Sequence, residues 1–307
     1  MNSFDTEQKG FTLVEMLVVM VILSVVIAAV YSLYLVHLKT AYKQDEVVEV
    51  QQNLRIAMDS ISRDVKMSGV LVPQGTPALT SNCTATVLWI NTGAPDGCIA
   101  RIVNNPLNLP SGTYAPGAGN FPFTVDAVNG FNKNDNVRIV RTFTNSQPMN
   151  NSIMQVTATP VASTLTVAIP VGGVTINPSD VIAKAAPTAA VANFDTITYS
   201  IVTSGTAAGV NCPVGSCLAR QVNAPAPPAL LPAPAATEIV ASNLTTPLTF
   251  SYINDSNAVV NTLAGLTPTS LSLIRSVSVT INGATTKPNM PVSTRQITSI
   301  IELRNRR

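Results

Sequence analysis

KGFTLVEMLVVMVILSVVIAAVYSLYLV, running from Lys9 to Val36, is the stretch on which the fold of this chain turns. Between Phe11 and Val36 the only charged side chain is Glu15. Met16–Val36 alone is 21 residues, about 32 Å long as an α-helix, which matches a bilayer hydrocarbon core of about 30 Å. Tyr31, Tyr34, His37 and Lys39 fall at its far edge, where amphipathic and charged side chains mark an interface. A secretory signal has a shorter apolar region, about 7–15 residues, behind a positively charged start. Here the leader MNSFDTEQKG sets Asp5 and Glu7 against Lys9, and the run is far longer. A core helix of a soluble protein is at odds with 26 nearly uninterrupted apolar residues. A plain membrane anchor fits the length and leaves Glu15 unexplained, because a carboxylate in lipid costs several kcal/mol and its presence points to function.

Helical periodicity continues past the apolar run. Val47, Val50, Leu54, Met58, Ile61 and Val65 recur at spacings of three and four with polar residues between them, the pattern of an amphipathic helix with one apolar stripe. A coiled-coil seam is the other reading of that stripe. No Pro or Gly lies between Phe11 and Ser68, so the spacing predicts one helix over 11–68, about 87 Å long, stopped at Gly69.

The remainder has a different character. Of 307 residues only 11% are charged, the net charge is +2, and the mean hydropathy is +0.30, which gives no case for nucleic acid as a partner. After residue 70, Thr, Val, Asn, Ser, Ala and Pro dominate, favouring strands and turns. Strands are expected at Thr86–Asn91, Ile99–Val103, Asn136–Phe143, Met154–Thr159, Thr164–Ile169, Thr196–Val202, Leu248–Ile253, Ser272–Ile281 and Thr294–Leu303. The five prolines of Ala224–Thr237 read as an extended surface loop rather than a join between subdomains. The fold class is therefore α+β, a mostly antiparallel sheet with long loops folded against a long N-terminal helix.

Four cysteines form two sequence-local pairs, Cys83 with Cys98 and Cys212 with Cys217. Locality selects these two disulfides among three connectivities, the wider loop being worth about 3 kcal/mol on a loop-entropy estimate. Free thiols are the alternative. A zinc site lacks its CxxC spacing and neighbouring histidines. Disulfides place the C-terminal part in the periplasm or outside the cell.

Catalytic chemistry finds little material. His37 is the only histidine and sits at the membrane edge, which removes Ser-His-Asp and Cys-His systems and His-based metal sites. No Gly-rich phosphate loop is present. Asp135 in NKND and Asp255 in INDS are candidate calcium ligands, but each reads more simply as a turn former. No enzyme, cofactor or metal is expected.

The string Lys9-Gly10-Phe11-Thr12-Leu13-Val14-Glu15, followed by the apolar run, resembles the processing motif of type IV prepilins. The resemblance implies that a membrane prepilin peptidase cuts after Gly10 and N-methylates Phe11. Gly10, without a side chain, suits the extended entry of a chain into a protease cleft. The new amine of Phe11 then lies about one helical turn from Glu15, and in a staggered fibre Glu15 of one subunit can neutralise the amine of the next, a paired charge being tolerable when buried.

Major pilins of this family often carry a proline near the place of Ser32, which this chain lacks; with its length, that resembles a minor pilin or pseudopilin. The ending, a Leu273–Ile281 strand and then Thr294-Arg295-Gln296 leading to Ile301-Glu302-Leu303-Arg304-Asn305, is similar to PilW-type minor pilins and to J-type pseudopilins of type II secretion, as is Ser62–Gly69. The implied organisation is a leader at 1–10, a transmembrane and assembly helix at 11–68, and a β-rich periplasmic or extracellular domain at 69–307. The implied partners are the prepilin peptidase, other minor pilins, the major pilin and the inner membrane, with the pilus or cell surface as destination. The rival readings are a J-type pseudopilin and a membrane-tethered adhesin or binding module that never polymerises.

Overall fold

The computed structural model describes residues 12–104, 113–114, 119–142, 153–169, 174–186, 194–206, 211–213, 215–223, 237–285 and 292–304. Helix α1 spans Leu13–Lys66, 54 residues. Arg63 and Lys66 occupy its last turn, where positive charge complements the helix dipole. Ser68 donates its hydroxyl to the Val65 carbonyl at 2.6 Å, and Gly69, at φ 72°, turns the chain away in a conformation that suits glycine. The helix thus ends within two residues of the expected stop.

Two units divide the chain, one holding the N-terminal part of α1 through Glu49 and the other beginning at Val50. In the first, every large apolar side chain from Leu13 to Val36 is exposed, by 39–82%. This helix is long and apolar enough to cross a membrane. In the second, Val50, Leu54, Ala57, Met58, Ile61 and Val65 are all at most 7% exposed and form the predicted stripe. Val47, expected to open that stripe, is half-buried.

The strands of the second unit fall into two main groups. A seven-stranded sheet is built from β1 (Leu88–Thr92), β10 (Asp195–Thr203), β11 (Ser216–Val222), β12 (Thr237–Asn254), β14 (Ile274–Ala284) and β15 (Thr294–Glu302) in that order, with β13 (Val259–Val260) paired to β12. A closed barrel takes β2 (Ile99–Asn104), β4 (Gly119–Val125), β7 (Thr164–Ile169), β6 (Met154–Val156), β5 (Asn136–Val140) and β9 (Val181–Lys184) in that order. Strands β3 (Thr113–Tyr114) and β8 (Val174–Thr175) pair separately, and a short helix α2 (Pro268–Ser272) precedes β14. All the pairings are antiparallel.

The helix stripe packs into one core with Leu79, Leu88, Ile90, Tyr199, Phe250, Tyr252, Val277 and Val279 of the sheet side. The barrel has its own core, centred on Ile102, Phe123, Ile139, Leu165, Val167 and Ile182. A small third cluster of Leu71, Ala94, Val140, Val181 and Ala183 lies where the two meet.

Differences from the expected strands have local causes. Instead of one sheet there are an open seven-stranded sheet, a closed barrel and a separate two-stranded pair. Strand β11 escaped notice because Cys217 to Gln221 are buried on both faces, which abolishes alternation. Strand β4 contains Pro122, a residue that argues against a strand interior. The expected Leu248–Ile253 run is the second part of β12, whose register against β14 shifts between Thr245 and Thr249, around Pro247. Ser272 ends α2, capped by Thr267, instead of opening β14. The proline-rich stretch at 224–236 lies outside the described residues.

Candidate functional site

Gly10 and Phe11 lie outside the described residues, so the structure speaks to the N-terminal motif through Thr12 and Glu15. The backbone N–H of Thr12 donates to Glu15 Oε2 at 2.9 Å, and the Thr12 hydroxyl donates to the same oxygen at 2.9 Å. In return the Glu15 N–H donates to Thr12 Oγ1 at 3.3 Å. This is a reciprocal capping box: a Thr and a Glu three residues apart each satisfy a helix-end N–H. The sequence signal was present as Thr-x-x-Glu ahead of an apolar run, and a reading that tied Glu15 only to a neighbour's amine missed it. The arrangement holds a carboxylate at the positive end of the helix dipole. A carboxylate offers about four lone-pair sites, so Glu15 can cap its own helix and still receive an ammonium group.

At the other end of α1 is a second polar cluster that the sequence did not announce. Asp64, only 4% exposed, accepts the Nε–H of Arg220 at 2.7 Å and the Tyr199 hydroxyl at 2.7 Å, both on Oδ2. Tyr199 also bonds Ser60 Oγ at 2.8 Å. Arg220 donates from Nη2 to the Pro95 carbonyl at 2.7 Å and reaches Glu238 at 3.5 Å. The last turns of α1, β10, β11 and the turn after β1 are thereby tied at one point. A cavity of about 250 Å³ opens beside this pair, and Asp96 apart, its charged lining consists of these ion-paired groups and Arg63.

The cysteines divide unequally. Cys212 and Cys217 are joined in a disulfide. Cys83 and Cys98 are free thiols, a correction to the expected second bridge. Its physical reason is that the two belong to different cores. Cys83 is fully buried among helix and sheet residues, donating to the Trp89 carbonyl at 3.2 Å, whereas Cys98 packs against the barrel. Burial pushes the Cys83 thiol up to about 11.

The other singled-out residues are accounted for by structure. Asp135 accepts from the Asn132 N–H at 2.7 Å and pairs with Lys184 at 2.9 Å, as a turn former does. In the INDS turn the Asn254 side chain accepts from the Ser256 and Ala258 N–H groups. His37 is exposed on α1. Among the described residues no group of three or more His, Cys, Asp and Glu side chains is placed to hold a metal.

The family model for the prokaryotic N-terminal methylation motif matches residues 6–31, a stretch that contains Gly10, Phe11, Thr12 and Glu15. No curated protein and no solved structure is significantly similar to the chain. The match supports a type IV pilin-like protein of a pilus or pseudopilus system, which implies a structural role, processing by a prepilin peptidase and association with pilin partners. The exposed apolar helix agrees with anchoring in the inner membrane.

Proposed function

We propose that this chain is a minor pilin of the PilW type, which joins other minor pilins to prime assembly of a type IV pilus and enters the fibre through its N-terminal helix. Residues 1–10 are the leader, removed by cleavage between Gly10 and Phe11, and Phe11 becomes the methylated N-terminus. Residues 11–68 are the membrane and assembly helix. Residues 69–307 form the head, periplasmic before assembly and on the pilus afterwards.

The observation that carries this reading is Glu15, the one charged side chain of the apolar run, held at the start of α1 inside a matched methylation motif. A plain anchor has no use for a carboxylate that costs several kcal/mol in lipid. A polymer does, because pairing it with the Phe11 amine of a neighbour neutralises both charges and selects one axial register. Mass spectrometry of the mature chain from processing-competent cells tests the first step. The expected N-terminus is methyl-Phe11, and an intact Met1 start would overturn the reading. Presence of the chain in sheared fibres tests the second, and a chain confined to the inner membrane favours a tethered binder.

A further inference from the structure

The barrel is an insertion into a hairpin. Strands β1 and β10 are antiparallel neighbours whose last paired rung is Thr92 with Asp195. The chain leaves the sheet after Thr92, builds every strand from β2 to β9, and returns at Asp195 beside its point of departure. Such a point, with both ends of the inserted segment adjacent, is where domain insertion is tolerated. The cores respect the same division. The core that buries the helix stripe contains no barrel strand, and the barrel core contains no residue of α1 or of the seven-stranded sheet.

The seam is confined and polar. Arg138 of β5, fully buried, donates from Nη1 to Asp195 Oδ2 at 2.9 Å and to the Gly93 carbonyl at 3.1 Å. Asn223 donates to the other oxygen of Asp195 at 2.7 Å. Arg220 grips the same turn from the sheet side through the Pro95 carbonyl. Two arginines, one from each body, thus hold the crossing at Gly93–Pro95, and among the described residues the shared apolar packing is the small cluster around Leu71, Ala94 and Val140.

We propose a division of labour: α1 and the seven-stranded sheet are the assembling scaffold, and the barrel is an inserted module dispensable for entry into the fibre. This rests on the pilin reading above. What the barrel adds is a separate folded surface carried by the scaffold, not a part of the polymerising machinery.

The test replaces residues 96–193 of the full-length chain by a short Gly/Ser linker, keeping Pro95 for Arg220. Wild type and excised chain are compared in sheared fibres, with Trp89 fluorescence reporting whether β1 stays buried. Incorporation of the excised chain to within about twofold of wild type is the expected result; a chain that keeps the native Trp89 signal and is lost from fibres overturns the division. Absence of wild type itself overturns the pilin reading and this inference with it. Should the excised chain not fold, Phe123→Ala in the barrel core decides. Amide exchange across β2 to β9 then rises about tenfold or more, while β12 and β14 change little. Equal acceleration in both bodies means one cooperative unit and sinks the proposal.

Discussion

Arg220 Nε and Asp64 Oδ2 stand 2.7 Å apart with both side chains less than one-tenth exposed, 7% and 5%, joining β11 to the last turns of α1. Taking two charges out of water is costly, and the pair persists because Tyr199 and the Pro95 carbonyl complete its hydrogen bonds. The value of such a pair lies in specificity more than in net stability. It ties the last turns of α1 to β11 at one defined point.

Removing one partner strands the other. Asp64→Ala is expected to destabilise the head by about 3–5 kcal/mol, and Tyr199→Phe by about 1–2 kcal/mol. The double change Asp64→Leu with Arg220→Met should recover much of the single-mutant loss. Thermal denaturation of the three variants checks the order, and a double mutant no better than Asp64→Ala would refute the stranded-charge account.

Gly93 is small for a steric reason. A Cβ built there meets the Leu71 Cβ and carbonyl oxygen at 2.6 Å, and its N–H donates to the Val70 carbonyl at 2.8 Å. Since backbone atoms cannot step aside, Gly93→Ala should cost about 1–3 kcal/mol by overpacking. Gly97→Ala is no control, because its φ is +71°; Ala94→Ser at the same turn is a milder comparison. A denaturant midpoint for Gly93→Ala equal to wild type would contradict the close approach.

Alkaline pH should weaken the head through Cys83. The unfolded thiol loses its proton near pH 9.0, while the buried one keeps it until about 11. The unfolded state therefore binds fewer protons in that window, and stability falls as pH rises through it, by about 3 kcal/mol for two units of difference. Tyr199 and Tyr252, both raised by burial, extend the decline to higher pH. Urea midpoints at pH 7, 9 and 10 for wild type and Cys83→Ala check it, since the variant must lose the earlier part of the slope. Intact-mass labelling is the companion measurement: a maleimide should add at Cys98 in the native chain and at Cys83 only after unfolding.

Glu15 has two tasks that substitutions separate. Glu15→Gln keeps an acceptor for the Thr12 N–H and removes the charge, whereas Thr12→Val keeps the charge and removes the reciprocal bond. The cap is worth about 1 kcal/mol, too little to prevent membrane insertion. Both variants should therefore insert, and Glu15→Gln should be depleted from fibres far more than Thr12→Val. Equal depletion would assign the phenotype to the cap and not to the charge.

The long helix, its apolar first part and its buried stripe were legible in the sequence because each is a local period, and four of the nine expected strands match observed ones to within one residue at each end. The capping box was legible too, as Thr12 and Glu15 at the right spacing, and was passed over. The N-terminal methylation motif matched at residues 6–31 was legible from sequence alone, since it is a short linear pattern. Partition of the strands into a sheet and a closed barrel came only from the tertiary structure, because antiparallel strands of either body look alike in one dimension. The same holds for the cysteines: sequence locality paired Cys83 with Cys98, but packing sent them to separate cores. Asp64 and Arg220 lie 156 positions apart, and no spacing rule reaches so far. Burial brings them together, and burial is a property of the folded chain.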